Sequence, residues 1–250
     1  MKKGDNIMAL PILDTATYEL TLPSSEVQVK YRPFLVKEEK ILLLALESND
    51  GKEIKKALKE IVHACTFGTI NVNAVPTFDL EYIFLNIRAK SVGEVAKLKI
   101  LCPDDKETYA NIELDLSKVE VEVDDDHTNE IQVNDKVKML MKYPTIESFD
   151  PSTDASKLGT KQLFDMISSS IYEIYEGETV HKASDYSKEE MSKFIESLSS
   201  EQFGKIQKFF NSMPRLQHEV EVENPKTKVK SKVKLQGLQS FFVSPSHMTA

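Results

Sequence analysis

The 250-residue chain carries 40 acidic against 32 basic side chains, a formal net charge of −8, which argues against duplex nucleic acid as a partner of the whole chain. Hydrophobic residues make up 40% and charged residues 29%, an ordinary globular balance that allows a sizeable core. Two cysteines, Cys65 and Cys102, exclude a disulfide framework and fit a reducing compartment, and no apolar run approaches the roughly 18 residues a membrane helix needs.

The N-terminus has no signal-peptide core, since the apolar run from Ile7 to Leu13 is short and broken by Pro11. Lys3-Gly4-Asp5 can be encoded by a stretch containing a bacterial ribosome-binding sequence, with Met8 at a suitable spacing. Translation is therefore expected to start at Met8, making residues 1–7 a non-native extension. Tyr18 to Leu22 and Val27 to Tyr31 alternate around Pro23-Ser24-Ser25 and predict a small hairpin. Pro33 closes it. A helix over Val36 to Glu47 follows, with Ile41, Leu42, Leu44 and Ala45 as its apolar side. After Asp50-Gly51, residues Ile54, Ala57, Leu58, Ile61, Val62 and Cys65 recur at helical spacing, so the two helices make a helical hairpin with Cys65 as a buried structural thiol. His63 lies off that stripe, with no ligand partner at metal spacing.

Pro76 and a Thr77 cap introduce a helix over Phe78 to Ser91 that is apolar almost all round, the mark of a helix buried on several sides. It leads into a hairpin in which Leu98, Ile100 and Cys102 share a face, pairing Lys99 with Glu113 and Lys97 with Asp115. Val119 to Val123 continues as strand. Asp124-Asp125-Asp126 reads as a solvated turn, because a calcium loop needs spaced oxygens and a glycine. Val133 to Tyr143 is mixed strand. Pro144 to Gly159 is polar and marks an internal boundary, dividing an N-terminal α+β region, 8–150, from a helical region with a second helix-hairpin unit, 151–250; the two can also form one compact domain. Lys161 to Tyr175 is predicted as one amphipathic helix. Ser187 with Glu190 forms a capping box, and Ser199 or Ser200 caps the next helix, which Pro214 ends.

In the second hairpin Glu219, Glu221 and Glu223 alternate, as do Lys226, Lys228, Lys230, Lys232 and Lys234. A loop at 224–227 pairs Glu223 with Lys228, Glu221 with Lys230 and Glu219 with Lys232. The lysine strand is either a soluble edge protected against aggregation or a docking face for an acidic partner. The chain then ends in a short apolar turn, Gly237 to Phe242, and a frayed tail. The fold class is α+β: a helical hairpin and further amphipathic helices packed on two antiparallel β-hairpins.

No catalytic constellation stands out. The eight glycines form no phosphate-cradling loop, and the five histidines are far apart in sequence. The chain reads as a protein-binding module without catalysis and without a cofactor.

Lys30-Tyr31-Arg32-Pro33-Phe34 with Lys37-Glu38-Glu39-Lys40, and Arg88-Ala89-Lys90-Ser91-Val92-Gly93-Glu94, resemble the baseplate hub assembly proteins of T-even-type contractile-tailed bacteriophages. So do Phe209-Phe210, Met213-Pro214-Arg215-Leu216, Leu235-Gln236-Gly237-Leu238 and Phe241-Phe242. The resemblance covers nearly the whole chain after about Leu20, through packing motifs rather than chemical ones. In that family Cys-Pro-x-Cys knuckles at both hairpin tips make a four-cysteine zinc ribbon. Here Cys102-Pro103 is followed by Asp104 and Asp105, and the second tip, Glu223-Asn224-Pro225-Lys226, keeps only its proline. The resemblance therefore implies a degenerate, metal-free ribbon with its hairpins side by side and Cys102 as a relic of a zinc knuckle. It implies a tail baseplate hub assembly factor, chaperone-like, binding other phage baseplate hub or tail proteins in the host cytoplasm, with no membrane or nucleic-acid partner and with oligomeric state left open. The alternatives are a structural component retained in the virion baseplate and a nucleic-acid-binding regulator with a degenerate ribbon. The partner-binding candidates are Lys228, Lys230, Lys232, Lys234, Phe241 and Phe242.

Overall fold

A computed structural model describes residues 14–48, 50–148 and 159–241. The expectations for residues 1–7, Phe242 and the C-terminal tail lie outside them, as does most of the proposed boundary segment. The fold is mixed helix and sheet, α+β, with small antiparallel sheets. No helix among the described residues is long and apolar enough to cross a membrane.

The chain opens with the expected hairpin, β1 (Tyr18–Thr21) on β2 (Gln28–Tyr31). Helices α1 (Val36–Ser48) and α2 (Gly51–Cys65) follow as the helical hairpin, with Asp50 capping α2 through the Lys52 amide. The α2 stripe is buried as its spacing requires: Ala57, Leu58, Ile61, Val62 and Cys65 all face inward, and His63 is exposed. The expectation for α1 is only half met. Leu42 and Ala45 are buried, but Ile41 and Leu44 face solvent, because α1 packs only its Glu38–Leu42–Ala45 side.

Helix α3 (Thr77–Val92) is the axis of the N-terminal half, with ten residues buried around its circumference. Its start differs from the expectation. Pro76 occupies the cap position, and Thr77 begins the helix while its hydroxyl donates to the Pro144 carbonyl (3.1 Å). One side of α3 (Leu80, Ile83, Phe84, Ile87) joins β1–β2, α1 and α2 in a first core. Another side (Leu85, Ala89) joins the two long hairpins in a second core.

Strands β3 (Val95–Leu101) and β4 (Tyr109–Asp115) form the first of those hairpins. Lys97 stands opposite Glu113 and Lys99 opposite Asn111, two residues away from the expected pairing, because the connecting loop is tighter. A short strand β5 (Glu120–Glu122) comes next. Strands β6 (Glu130–Gln132) and β7 (Val137–Met141) pair, the former unread in the sequence.

The predicted helix over 161–175 is two elements. Helix α4 (Thr160–Ser170) ends where the β-branched and aromatic run Ile171-Tyr172-Glu173-Ile174-Tyr175 becomes strand β8 (Ile171–Glu176). Gly177, at φ 59°, turns it into β9 (Thr179–Lys182), and the sheet order is β6-β7-β8-β9. Helices α5 (Lys188–Glu196) and α6 (Ser200–Ser212) start at genuine capping boxes, Ser187 with Glu190 and Ser199 with Gln202. They cover that sheet with α4, and Met139, Ile167, Ile171, Ile195, Ile206 and Phe209 make a third core. Strands β10 (Arg215–Glu223) and β11 (Lys230–Gln236) then return to the second core, with β10 between β5 and β11. The pairings β5–β10 and β7–β8 both join residues from the two sides of the segment 149–158.

Candidate partner-binding surface

The two long hairpins present their apolar faces to each other and to α3: Ala96, Leu98, Ile100 and Leu114 from one, Leu216, Val222 and Leu235 from the other. Their tips share one local plan. Cys102 and Asn224 each precede a proline, and each carbonyl accepts the amide four residues on, from Lys106 (3.0 Å) and Lys228 (2.9 Å). Both closing residues sit at positive φ, 54° and 64°.

The tips also touch. The Asp104 carboxylate accepts from Asn224 Nδ2 (3.0 and 3.1 Å) and from the Thr227 hydroxyl (2.6 Å). Asn224 is fully buried, and its Oδ1 accepts the Lys226 and Thr227 amides, so the side chain organises its own loop and grips the other. Those bonds hold the Asp104 carboxyl below the usual range, with Asn224 the larger cause and Thr227 the next. The Thr108 hydroxyl and amide do the same, more strongly, for Asp105. Cys102 is buried beside them, its thiol pushed up by burial and by both aspartates. One buried thiol, two carboxylates already engaged and an amide do not fit a tetrahedral sulfur site for zinc. Among the described residues no group of three or more His, Cys, Asp and Glu side chains could hold a metal ion.

The lysine strand lies on the outward face of β11, but its register differs from the expectation. The loop is longer, so Glu223 stands opposite Lys230, Glu221 opposite Lys232 and Glu219 opposite Lys234. The expected ion pairs form nevertheless, on the diagonal: Lys230 to Glu221 at 2.8 Å, Lys232 to Glu219 at 2.7 Å and Lys228 to Glu223 at 3.9 Å. Three of the four candidate lysines are thus paired within the ladder, and Lys234 stands opposite Glu219 without a pair of its own. Phe241 does not belong to an exposed tail. It closes a short 3-10 turn, Leu238–Phe241, and is 1% exposed in the second core, which removes it from any free docking surface. Phe242 lies outside the described residues.

That same turn covers a buried acid. Glu81 on α3 accepts the Leu238 amide at 3.3 Å, and burial pushes its carboxyl up to about 7. The periodicity of an all-round apolar helix gave no signal for Glu81, Asp79 or Arg88, all buried polar members of α3.

One histidine cluster was also hidden by sequence distance. His127 Nδ1 meets the Ser212 hydroxyl at 2.9 Å and Nε2 meets the Tyr143 hydroxyl at 3.0 Å, with the ring stacked near Tyr143 and Phe209. Ser212 donates to the Lys208 carbonyl (2.9 Å), so it accepts from Nδ1–H, and Nε2 accepts from Tyr143. Burial lowers the pKa of His127 and favours this neutral ring. In that proton arrangement no base faces the serine hydroxyl, and the cluster ties the loop after β5 to α6 and to the end of β7.

Neither a curated protein nor a solved structure matches the chain. The family described as "T4 bacteriophage base plate protein" matches residues 15–243, nearly the full length and all three cores, and the chain belongs to that family.

Proposed function

We propose that this baseplate-family protein is a hub assembly factor that works by binding other baseplate proteins, without catalysis. The observation that carries the reading is the family match over residues 15–243, which spans the packing motifs of all three cores. The polar groups brought together add support: Asp104 with Asn224, and His127 with Ser212 and Tyr143, spend their hydrogen bonds on tying elements to one another. A factor of this kind acts in the host cytoplasm during assembly and leaves before the particle is complete. A second reading, a structural component retained in the tail, is favoured by the base plate description of the family itself.

Mass spectrometry of purified virions beside a tagged pull-down from infected cells separates them. Recovery of hub proteins in the pull-down, with the protein absent from virions, is the expected result. Stoichiometric presence in virions makes it a baseplate component. Absence of baseplate proteins from the pull-down and of the protein from virions overturns both readings. Steep salt-dependent DNA binding by the purified protein would instead favour a nucleic-acid role.

A further inference from the structure

Exposed apolar side chains gather at one place on this molecule. The Phe34 amide donates to the Ser91 hydroxyl (2.9 Å), and the Arg32 amide donates to the Cys65 carbonyl (2.9 Å). These two bonds bring the start of α1, the end of α2 and the end of α3 to one junction. Leu35, Val36, Phe67 and Val92 lie within a few residues of it, and all four are exposed, Val36 at 80% and Phe67 at 54%. The patch runs on along α1, where Lys37, Lys40, Ile41 and Leu44 share the outward face at helical spacing. Other exposed apolar residues are scattered over separate strands and loops, as is ordinary for a protein surface.

Phe67 adds an independent mark. It follows the C-terminus of α2 at φ 57°, in the left-handed region that a bulky side chain adopts only at a cost. Gly68 follows at φ 67°. The backbone is held unfavourably and the ring it carries is left in water, a combination that packing within this chain does not explain.

The charge around the junction is one-sided. Glu38 is buried and already takes Arg32 (3.0 Å), the Leu35 amide (2.8 Å) and Lys37 (3.4 Å); burial alone would raise its pKa, and these donors hold it low. Lys40 is exposed with no carboxylate partner among the described residues. Arg88, one turn before Val92 on α3, is 7% exposed, and its Nη1 is buried without a hydrogen-bond partner. A buried guanidinium left unpaired is costly and is satisfied by an incoming carboxylate.

We propose that the outer face of α1, together with Phe67 and the Val92 end of α3, docks an amphipathic helix of another baseplate protein whose apolar stripe is bordered by carboxylates. A helix fits a face whose own residues are set at helical spacing, and acids fit Lys37, Lys40 and Arg88. The proposal rests on the protein-binding reading above and names the surface that serves it.

A photo-crosslinking amino acid placed at positions 36, 44 or 67, with position 172 on the distant sheet as control, tests it in infected cells. The expected result is crosslinks from the first three positions, above the control, to one segment of another baseplate protein with Asp or Glu beside an apolar helical repeat. Crosslinks to residues 1–13 of the same chain, to a second copy, or with equal yield from position 172 would overturn it. In the matched pull-down, Lys37→Glu with Lys40→Glu should cut recovery of that protein roughly tenfold. Phe67→Gly should cut it as well while leaving the melting temperature unchanged or raised, which a purely structural phenylalanine would not do. Undiminished recovery with both variants overturns the surface but leaves the protein-binding reading standing. Failure of the wild type to recover any baseplate protein overturns both.

Discussion

Replacing Glu81 by glutamine should stabilise the protein at neutral pH and not in acid. The carboxyl is buried between α3 and the Leu238–Phe241 turn, and it ionises near 7 in the folded protein against 4.5 for an unstrained glutamate. Below pH 4.5 folded and unfolded chains both hold the proton, and the group costs nothing. Between 4.5 and 7 only the unfolded chain ionises, so stability falls by about 1.4 kcal/mol per pH unit. Above 7 both are ionised and the loss saturates at about 3 kcal/mol. The raised folded pKa thus gives stability that is full in acid and lost as pH rises towards 7. In Glu81→Gln the amide oxygen still accepts the Leu238 N–H, but the new buried NH2 costs about 1–2 kcal/mol where it finds no partner. The net gain at pH 8 is then about 1–2 kcal/mol, turning to a small loss at pH 4.5. Urea unfolding of both proteins from pH 4.5 to 8.5 reads it directly, because subtracting one curve from the other cancels every other titrating group, including the buried Asp79. A difference that does not change with pH would refute the reasoning: Glu81 would then be ionising as a solvated acid, and the turn would not be covering it.

The tip clasp gives a second test. Asn224→Ala removes the grip on Asp104 and the caps on the Lys226 and Thr227 amides, and should cost about 1–3 kcal/mol in urea unfolding. Since the Asp104 carboxyl titrates below the usual range, the clasp's contribution is present at neutral pH and fades as the solution is acidified through that folded value. Lys230→Ser with Lys232→Ser breaks two exposed ion pairs and should leave the melting temperature within experimental scatter, so any loss of baseplate-protein recovery in a pull-down would belong to docking. Met139→Ala, at a fully buried site in the third core, should cost about 2–5 kcal/mol and is read by thermal melting.

Which parts of the fold the sequence revealed follows from what kind of signal each element leaves. Helix α2 was plain because six inward positions repeat at one period while lysines hold the other side. Helix α3 was plain because nothing on it but the cap region is polar for long. Both capping boxes were local chemistry, complete within four residues. The failures have equally physical causes. Ile167, Ile171 and Ile174 keep a helical spacing, yet from Ile171 onward the same residues alternate with Tyr172, Glu173 and Tyr175; only pairing with β7 and β9 decides between the two periods. Hairpin registers slipped by two residues because the loop at each tip fixes them, and the turns close on left-handed Lys106 and Lys228, residue types that announce no such conformation. Ile41 and Leu44 were placed inside because hydrophobicity was equated with burial, an inference that surfaces regularly defeat. The surface site itself was illegible for that reason: Phe67 is one aromatic in a loop until its exposure and backbone angle are known. Asp104, Asn224 and Thr227 lie more than a hundred residues apart in part, and no spacing rule links them.

The clasp also bears on how the paired hairpins stay together without a metal. Structural zinc supplies about 10–16 kcal/mol of folding free energy in small zinc-finger peptides, so a ribbon that depends on it unfolds on chelation. In this chain the inner faces of both hairpins are part of a core that includes Leu85, Ala89 and Phe241, with β5 extending the second sheet. Their association is therefore carried by apolar burial on α3, and hydrogen bonds at the tips set the relative position of the two loops. Incubation with a strong chelator should leave the melting temperature and the amide-exchange protection of β3, β4, β10 and β11 unchanged, and added zinc should not raise either. A fall on chelation, reversed by zinc, would mean that Cys102 and its neighbours ligate metal and that the hydrogen-bonded tips describe only the metal-free form. Excising the hairpins from α3 should unfold them in either case, because each two-stranded unit has no other surface on which to bury its apolar face.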